Sequence, residues 1–318
     1  MPTYRQILFK ALSLTFRNPV LWFFGLLTAV LGTSGELGLL VQSSSLGDNQ
    51  SVVAMIFSAF SKSGFFDPQS LLKLTQLMFS QPLVFLSTLF GFTLQLFLVV
   101  LFICLVVVSQ IAVINGVVGL LKNKKASWLE LFKSGLKPFW PVFWVNATFK
   151  IVALGSLSLL TAIGALAGLK FLGLTALFFI VFILLVWLLV IMSFLTKYLI
   201  LFVVLKDQKV KRAAQEALRL FSQNWLLSLE VATILFFIYG IINYCFALVF
   251  EEFMLYILVT HSAAFGKYIF FGVTVFAIIQ MFLALFNLAT WTIVFQILTN
   301  KQLKFSSRLN NGFRRIFR

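Results

Sequence analysis

The chain has 318 residues, of which 61% are hydrophobic and 11% charged, and a formal net charge of +16. A water-soluble domain carries about 45–50% apolar and about 25% charged residues, so this composition excludes soluble, disordered and fibrous classes and points to one integral membrane domain, 1–318. The basic excess suits an anionic membrane surface or a nucleic acid, and no nucleic-acid-binding motif accompanies it, so no nucleic-acid partner is expected.

A membrane-spanning helix needs roughly 20 apolar residues. Six windows qualify, at 20–42, 83–121, 139–168, 172–205, 225–250 and 267–299. The first follows a basic amphipathic lead-in, YRQILFKALSLTFR, that ends at Asn18-Pro19. A cleaved signal peptide is the competing reading, but the lead-in is long and the apolar stretch continues past Gly32 to Val41. Within Gly32-Thr33-Ser34-Gly35-Glu36-Leu37-Gly38, three glycines weaken the helix. Glu36 is then at an outer helix end or, in a broken helix, at a transport site. The segment at about 43–82 is an insertion on the outer side, with a Ser-rich start and a turn at Asp67-Pro68. Two short amphipathic helices are expected in it, lying on the outer leaflet or capping the bundle.

The second window would measure roughly 58 Å if unbroken, far beyond a bilayer core of about 30 Å. It must tilt, kink or project, and Gly91, Gly116 and Gly119 are its candidate soft points. A second lead-in, SWLELFKSGLKPFW, opens the window that holds Lys150, and a third, VKRAAQEALRLFSQNW, opens the one that holds Glu230. In the third, Ala214, Ala217, Leu218 and Phe221 recur at i, i+3, i+4 and i+7, the spacing of one helix face. Such a helix is expected in the headgroup plane with its basic residues near anionic lipid.

The first and third lead-ins align without a gap, pairing Ala11 with Ala217, Leu14 with Leu220 and Asn18 with Asn224. The second aligns more loosely, through Phe9-Lys10 and Phe132-Lys133. The chain therefore reads as three parallel repeats, each an amphipathic interfacial helix plus a helical hairpin. They cover 1–121, 122–205 and 206–300, and a basic tail at 301–318 follows. The lysines and arginines cluster at the lead-ins, at Lys122–Lys137, at Lys197–Arg219 and in the tail. By the positive-inside rule both termini are cytoplasmic. Arg17, Lys124, Lys125, Lys211, Arg212 and Arg219 are the candidate headgroup contacts, and Trp22, Trp140, Trp144 and Trp225 the candidate interfacial anchors.

The run Asn18-Pro19-Val20-Leu21-Trp22-Phe23-Phe24-Gly25-Leu26 and the Ala-rich helix into Asn224-Trp225 resemble bacterial polytopic proteins related to the membrane domain of glycerophosphoryl diester phosphodiesterases. In that family the chemistry belongs to a separate soluble barrel, and no such barrel is expected from these 318 residues. The resemblance therefore implies a bacterial inner-membrane module without catalytic residues.

Ionisable residues inside a bilayer are costly and tend to be functional. Glu36, Lys150 and Glu230 qualify, and a Lys150–Glu230 contact is expected, either as a structural pin or as a proton or substrate site. Amides such as Gln110, Asn115, Asn146, Asn243, Gln280 and Asn287 are expected to act as interhelical hydrogen-bond glue. Cys104 and Cys245 have no Cys or His partner at ligand spacing and read as buried structural thiols. His261 is the sole histidine and reads as a solvated loop residue. No metal, no cofactor and no enzyme activity are expected, since neither nucleotide-binding nor hydrolase motifs occur. Two functions remain. One is a non-catalytic module that engages membrane lipids through anionic headgroups or scaffolds a protein partner. The other is a small-solute or ion transporter, or permease subunit, that uses the intramembrane charges.

Overall fold

The computed structural model describes residues 4–30, 79–124, 127–167, 172–260 and 265–299. The expected outer insertion lies outside these residues except for its last few positions, and so do Glu36, Lys125, His261 and the tail. The described residues form eight helices. They are α1 (Tyr4–Arg17), α2 (Val20–Val30), α3 (Pro82–Leu121), α4 (Trp128–Leu136), α5 (Phe139–Ala167), α6 (Leu172–Lys206), α7 (Val210–Thr260) and α8 (Phe265–Thr299). No strand occurs among the described residues.

Helices α3, α6, α7 and α8 are long and apolar enough to cross a membrane. A bilayer offers no water to satisfy peptide groups, and a helix pairs them all internally. The expected windows at 20–42 and 139–168 run partly onto residues outside the described set. Many apolar side chains face outward along the long helices, among them Phe90, Phe97, Trp187, Phe237, Val249 and Phe270. A soluble monomer rarely leaves so much contiguous apolar surface exposed. The chain is a membrane protein.

Local chemistry sets the helix ends. Pro82 opens α3, where its missing N–H costs nothing. Ser127 and Glu130 form a reciprocal capping box at the start of α4 (Glu130 N to Ser127 Oγ 3.3 Å, Ser127 N to Glu130 Oε2 3.2 Å). Asn123 and Asp207, just past α3 and α6, adopt φ of 58° and 51°. Asn and Asp tolerate this left-handed conformation better than other non-glycine residues. Asn18 and Asn224 share one device. Each donates its Nδ2 to the carbonyl four residues back, Leu14 at 2.9 Å and Leu220 at 3.0 Å. This satisfies an acceptor left open where the helix stops or kinks. At Asn224 the backbone leaves helical angles (φ −134°, ψ 29°), which divides α7 into an amphipathic first part and an apolar second part.

One core joins the later halves of α3, α6 and α8 to α1, α2, α4, the start of α5 and α7. Tyr198, Phe24, Phe295 and Ile111 are its largest fully buried side chains.

Three expectations change here. The amphipathic helices turn much of their apolar faces to protein. Ile7 and Ala11 of α1, Leu131 of α4, and Ala213 and Ala217 of α7 are all buried in the core. Ala and Gly on these faces permit close helix contact, whereas a lipid-inserted face needs bulk. Next, α3 runs unbroken over 40 residues. Gly116 is a contact point where Leu21 and Leu131 approach, not a hinge. Finally, Cys245 is exposed and Cys104 only half-buried, because an apolar run does not reveal which side of a helix faces lipid.

Candidate functional site

A cavity of about 110 Å³ lies between α2, α3, α5, α6 and α8. A water needs about 10–15 Å³ of such space, so the cavity holds several waters or one small solute. Its polar groups come mainly from residues four apart on otherwise apolar helices. Asn146 and Lys150 share a face of α5, Ser193 and Lys197 a face of α6, and Asn287 and Trp291 a face of α8. Gln110 and Thr28 complete the polar wall from α3 and α2. No Asp or Glu is among the described residues that line it.

Both lysines lie well along their helices, Lys150 exposed and Lys197 half-buried. Lys150 lies roughly 17 Å along the axis from the start of α5 and Lys197 roughly 14 Å from the end of α6, at about 1.5 Å per residue. The Lys197 ammonium sits 4.9 Å from the Trp291 ring centre and 5.7 Å from that of Phe194. The ring faces attract the cation without neutralising it. Asn146 spends its Nδ2 on Gln110 Oε1 (2.8 Å) and on the Val142 carbonyl (3.1 Å). That arrangement fixes the Gln110 amide with its Nε2 hydrogens still to donate. Trp291 is buried, and its Nε1 has no hydrogen-bond partner among the described residues. An unmet buried donor of this kind costs about 1–3 kcal/mol. The wall thus combines two lysines and an indole donor with the side-chain amide of Asn287, a polar set that can receive a small solute.

The expected Lys150–Glu230 contact is not made as a hydrogen bond. Both carboxylate oxygens of Glu230 are buried and accept no hydrogen bond among the described residues. Lys150 lines the cavity and Glu230 does not. Their helices, α5 and α7, each pack against α6. Axial depth was readable from the sequence, but the direction each helix face points was not.

Lys197 was missed because it reads as the start of a basic loop. Helix α6 in fact continues to Lys206, which carries Lys197 into the bundle. A usable signal existed in the polar pairs at i and i+4 on apolar helices, and Trp291 belongs to one of them. Elsewhere the amides do act as glue: Gln280 donates to Asn243 between α8 and α7, and Asn115 to Ser134 between α3 and α4.

Arg17, Lys124, Lys211, Arg212 and Arg219 are all exposed, as are Trp140, Trp144 and Trp225. Trp22 differs. It is half-buried, and its Nε1 donates to the Thr15 carbonyl at 2.9 Å, tying α2 back onto α1. Lys137 and Asp207 form an exposed ion pair at 2.9 Å that links the α4–α5 turn to the α6–α7 turn. A separate apolar groove of about 280 Å³ runs between α1, α7 and α8, lined by residues such as Leu12, Phe16, Ile242 and Phe286. No group of three or more His, Cys, Asp or Glu that could hold a metal occurs among the described residues. No protein-family model, curated protein or solved structure matches the chain.

Proposed function

We propose that this chain is a non-catalytic, multi-pass protein of the cytoplasmic membrane that takes a small anionic solute into its bundle, as a transporter or permease subunit. The observation that carries the reading is the polar cavity with two lysines and no acid in its described wall. Buried charge in a bilayer is expensive and is kept where it serves a substrate or ion path. The cavity lies toward the later parts of α3 and α6, whose ends carry the exposed Lys122, Lys124, Lys206 and Lys209, the side that the positive-inside rule assigns to the cytoplasm. On this reading the chain has six spans in three repeats, with both termini inside. The matched Asn18–Leu14 and Asn224–Leu220 bonds support an equivalence of the first and third units.

The test is charge movement in proteoliposomes on a solid-supported membrane. Jumps in phosphate, sulfate, carboxylate or halide concentration should evoke currents that empty liposomes lack. Silence to every anion would remove the transport reading.

A second reading, a lipid-interacting or partner-scaffolding module, is favoured by the apolar groove beside α1 and the exposed basic residues Arg17, Lys124, Lys211, Arg212 and Arg219. Anionic lipid co-purifying in stoichiometric amount, with no anion-evoked current, would move this reading to the front. The resemblance to the membrane domain of glycerophosphoryl diester phosphodiesterases is compatible with either.

A further inference from the structure

We propose that the apolar groove between α1, α7 and α8 seats one acyl chain of an anionic phospholipid of the cytoplasmic leaflet, with the headgroup phosphate drawn to Arg5. This rests on the lipid-interacting reading above, names the lipid class and its seat, and makes no use of the polar cavity.

Helix α1 has three faces. Ile7 and Ala11 point into the core. Lys10, Ser13 and Arg17 are exposed and, at about 100° per residue, share one polar side. Phe9, Leu12 and Phe16 form a third stripe, apolar yet exposed, and this stripe lines the groove. A surface helix ordinarily carries one apolar face; α1 carries two, and protein covers only the first. Ile238 and Ile242 of α7 and Phe282 and Phe286 of α8 supply the other walls. These walls are held in place. Phe16 stacks on Phe282 with 4.9 Å between ring centres, and Trp22 meets Phe282 edge-on at 5.3 Å. The Tyr239 hydroxyl donates to the Leu283 carbonyl and ties α7 to α8 at this level.

The groove selects the chemistry of its occupant. Thr15 is the polar side chain among the described lining residues, and its hydroxyl already donates to the Ala11 carbonyl at 2.9 Å. With that hydrogen spent, the lining has no donor for a hydrated solute, and hydrocarbon is the better fit. At about 280 Å³ the groove exceeds the apolar cavity of about 150 Å³ that suffices for benzene, so it takes a stretch of alkyl chain. The charge sits at one end. Arg5 precedes Phe9 by one turn on the same face, and its guanidinium lies 5.4 Å from the Phe9 ring centre. Arg5, Phe9, Leu12 and Phe16 therefore run in line as a cation followed by an apolar stripe, which matches an anionic headgroup followed by its chain. A neutral lipid leaves Arg5 unused, and a second copy of this chain, with its net charge of +16, meets Arg5 with like charge.

The test reconstitutes the full chain in phosphatidylcholine nanodiscs containing a small fraction of phosphatidylglycerol. Native mass spectrometry reads the retained lipid, and phosphatidylglycerol with a diazirine in one acyl chain marks where that chain lies. The variants are Arg5→Gln, which removes the cation, and Leu12→Trp, which fills the groove from its exposed side. Lys10→Gln removes equal charge from the polar face of the same helix.

About one retained phosphatidylglycerol per chain, with the label on groove residues of α1, α7 and α8, supports the proposal. Retention should then fall on the order of tenfold or more in Arg5→Gln, the loss of a direct charge-assisted contact, and be abolished in Leu12→Trp. Lys10→Gln should lower it at most about fivefold, as general surface attraction does. Label spread over outward-facing Phe90, Phe97 and Phe237 overturns the proposal, as does a groove left unlabelled because this chain or a second copy fills it. Equal losses in Arg5→Gln and Lys10→Gln overturn it too. Retention that falls in Arg17→Gln or Lys211→Gln but not in Arg5→Gln ends the groove site and leaves the lipid-interacting reading standing; no retained lipid ends both. Arg5→Gln alters one exposed side chain, so it decides the matter even if Leu12→Trp fails to fold, as judged by size-exclusion profile.

Discussion

Helix α4 docks along α3 so closely that one methyl group decides the contact. A Cβ built at Gly135 would lie 2.6 Å from the Val108 carbonyl oxygen and 2.7 Å from Val108 Cγ1. Ordinary van der Waals contact begins near 3.4 Å, and a backbone oxygen inside a helix cannot swing aside as a flexible side chain would. Gly135→Ala must therefore open the α3–α4 contact by most of that difference. The opening pulls on the 3.2 Å Asn115–Ser134 hydrogen bond and on Leu131, which packs beside Gly116. Overpacking of this kind costs about 1–3 kcal/mol, against a gain of about 1 kcal/mol from replacing glycine by alanine in a helix. The net expectation is a loss of about 1 kcal/mol. Gly155 on α5 is the internal control, because its Cβ position meets nothing within 4 Å. Gly155→Ala should keep the propensity gain, about 1 kcal/mol of stabilisation. SDS titration in mixed micelles, followed by circular dichroism, measures both. If Gly135→Ala proves as stable as Gly155→Ala, close packing of α4 on α3 is not what holds this helix.

Three further outcomes follow from single contacts. Glu230→Leu should raise stability in the same titration by about 1 kcal/mol, because it removes a buried carboxylate without a hydrogen-bond partner among the described residues; a loss instead would show that the carboxylate has a partner the structure does not describe. Tyr198→Phe should cost about 1 kcal/mol, since the buried Tyr198 hydroxyl lies 2.7 Å from Ser228 Oγ and joins α6 to α7 just past the kink; an unchanged midpoint would argue against that bond. A double-mutant cycle on Lys137 and Asp207 should return a coupling below about 1 kcal/mol that fades with salt, because both side chains are about three-quarters exposed. A larger, salt-resistant value would mean that the two turns meet in a drier place.

The local devices were legible in the sequence because they are short-range. The Asn18–Asn224 correspondence, read from an ungapped alignment, appears as the same side-chain-to-carbonyl bond at two helix breaks. Helical state and apolar length were legible too, since a bilayer leaves a long apolar segment little choice but a helix. The site was legible only in part. Lys150 stands out as a charge inside an apolar window, and Glu230 at similar depth is its expected partner, yet no hydrogen bond joins the two. Depth along an axis is a one-dimensional property, whereas partnership depends on how each helix is rotated about that axis.

The sequence by itself therefore determined the solvent, the helical state, the four long apolar helices and the places where amphipathic helices begin, because each depends on composition or on residues within one or two helical turns. Only the tertiary structure decided that α1, α4 and the first part of α7 turn small residues inward onto neighbouring helices. It also decided that Lys197 belongs to the bundle and that Lys150, Lys197 and Trp291 face one cavity. Those outcomes depend on helix rotation and close approach, which packing between segments far apart in the chain sets and no local pattern encodes.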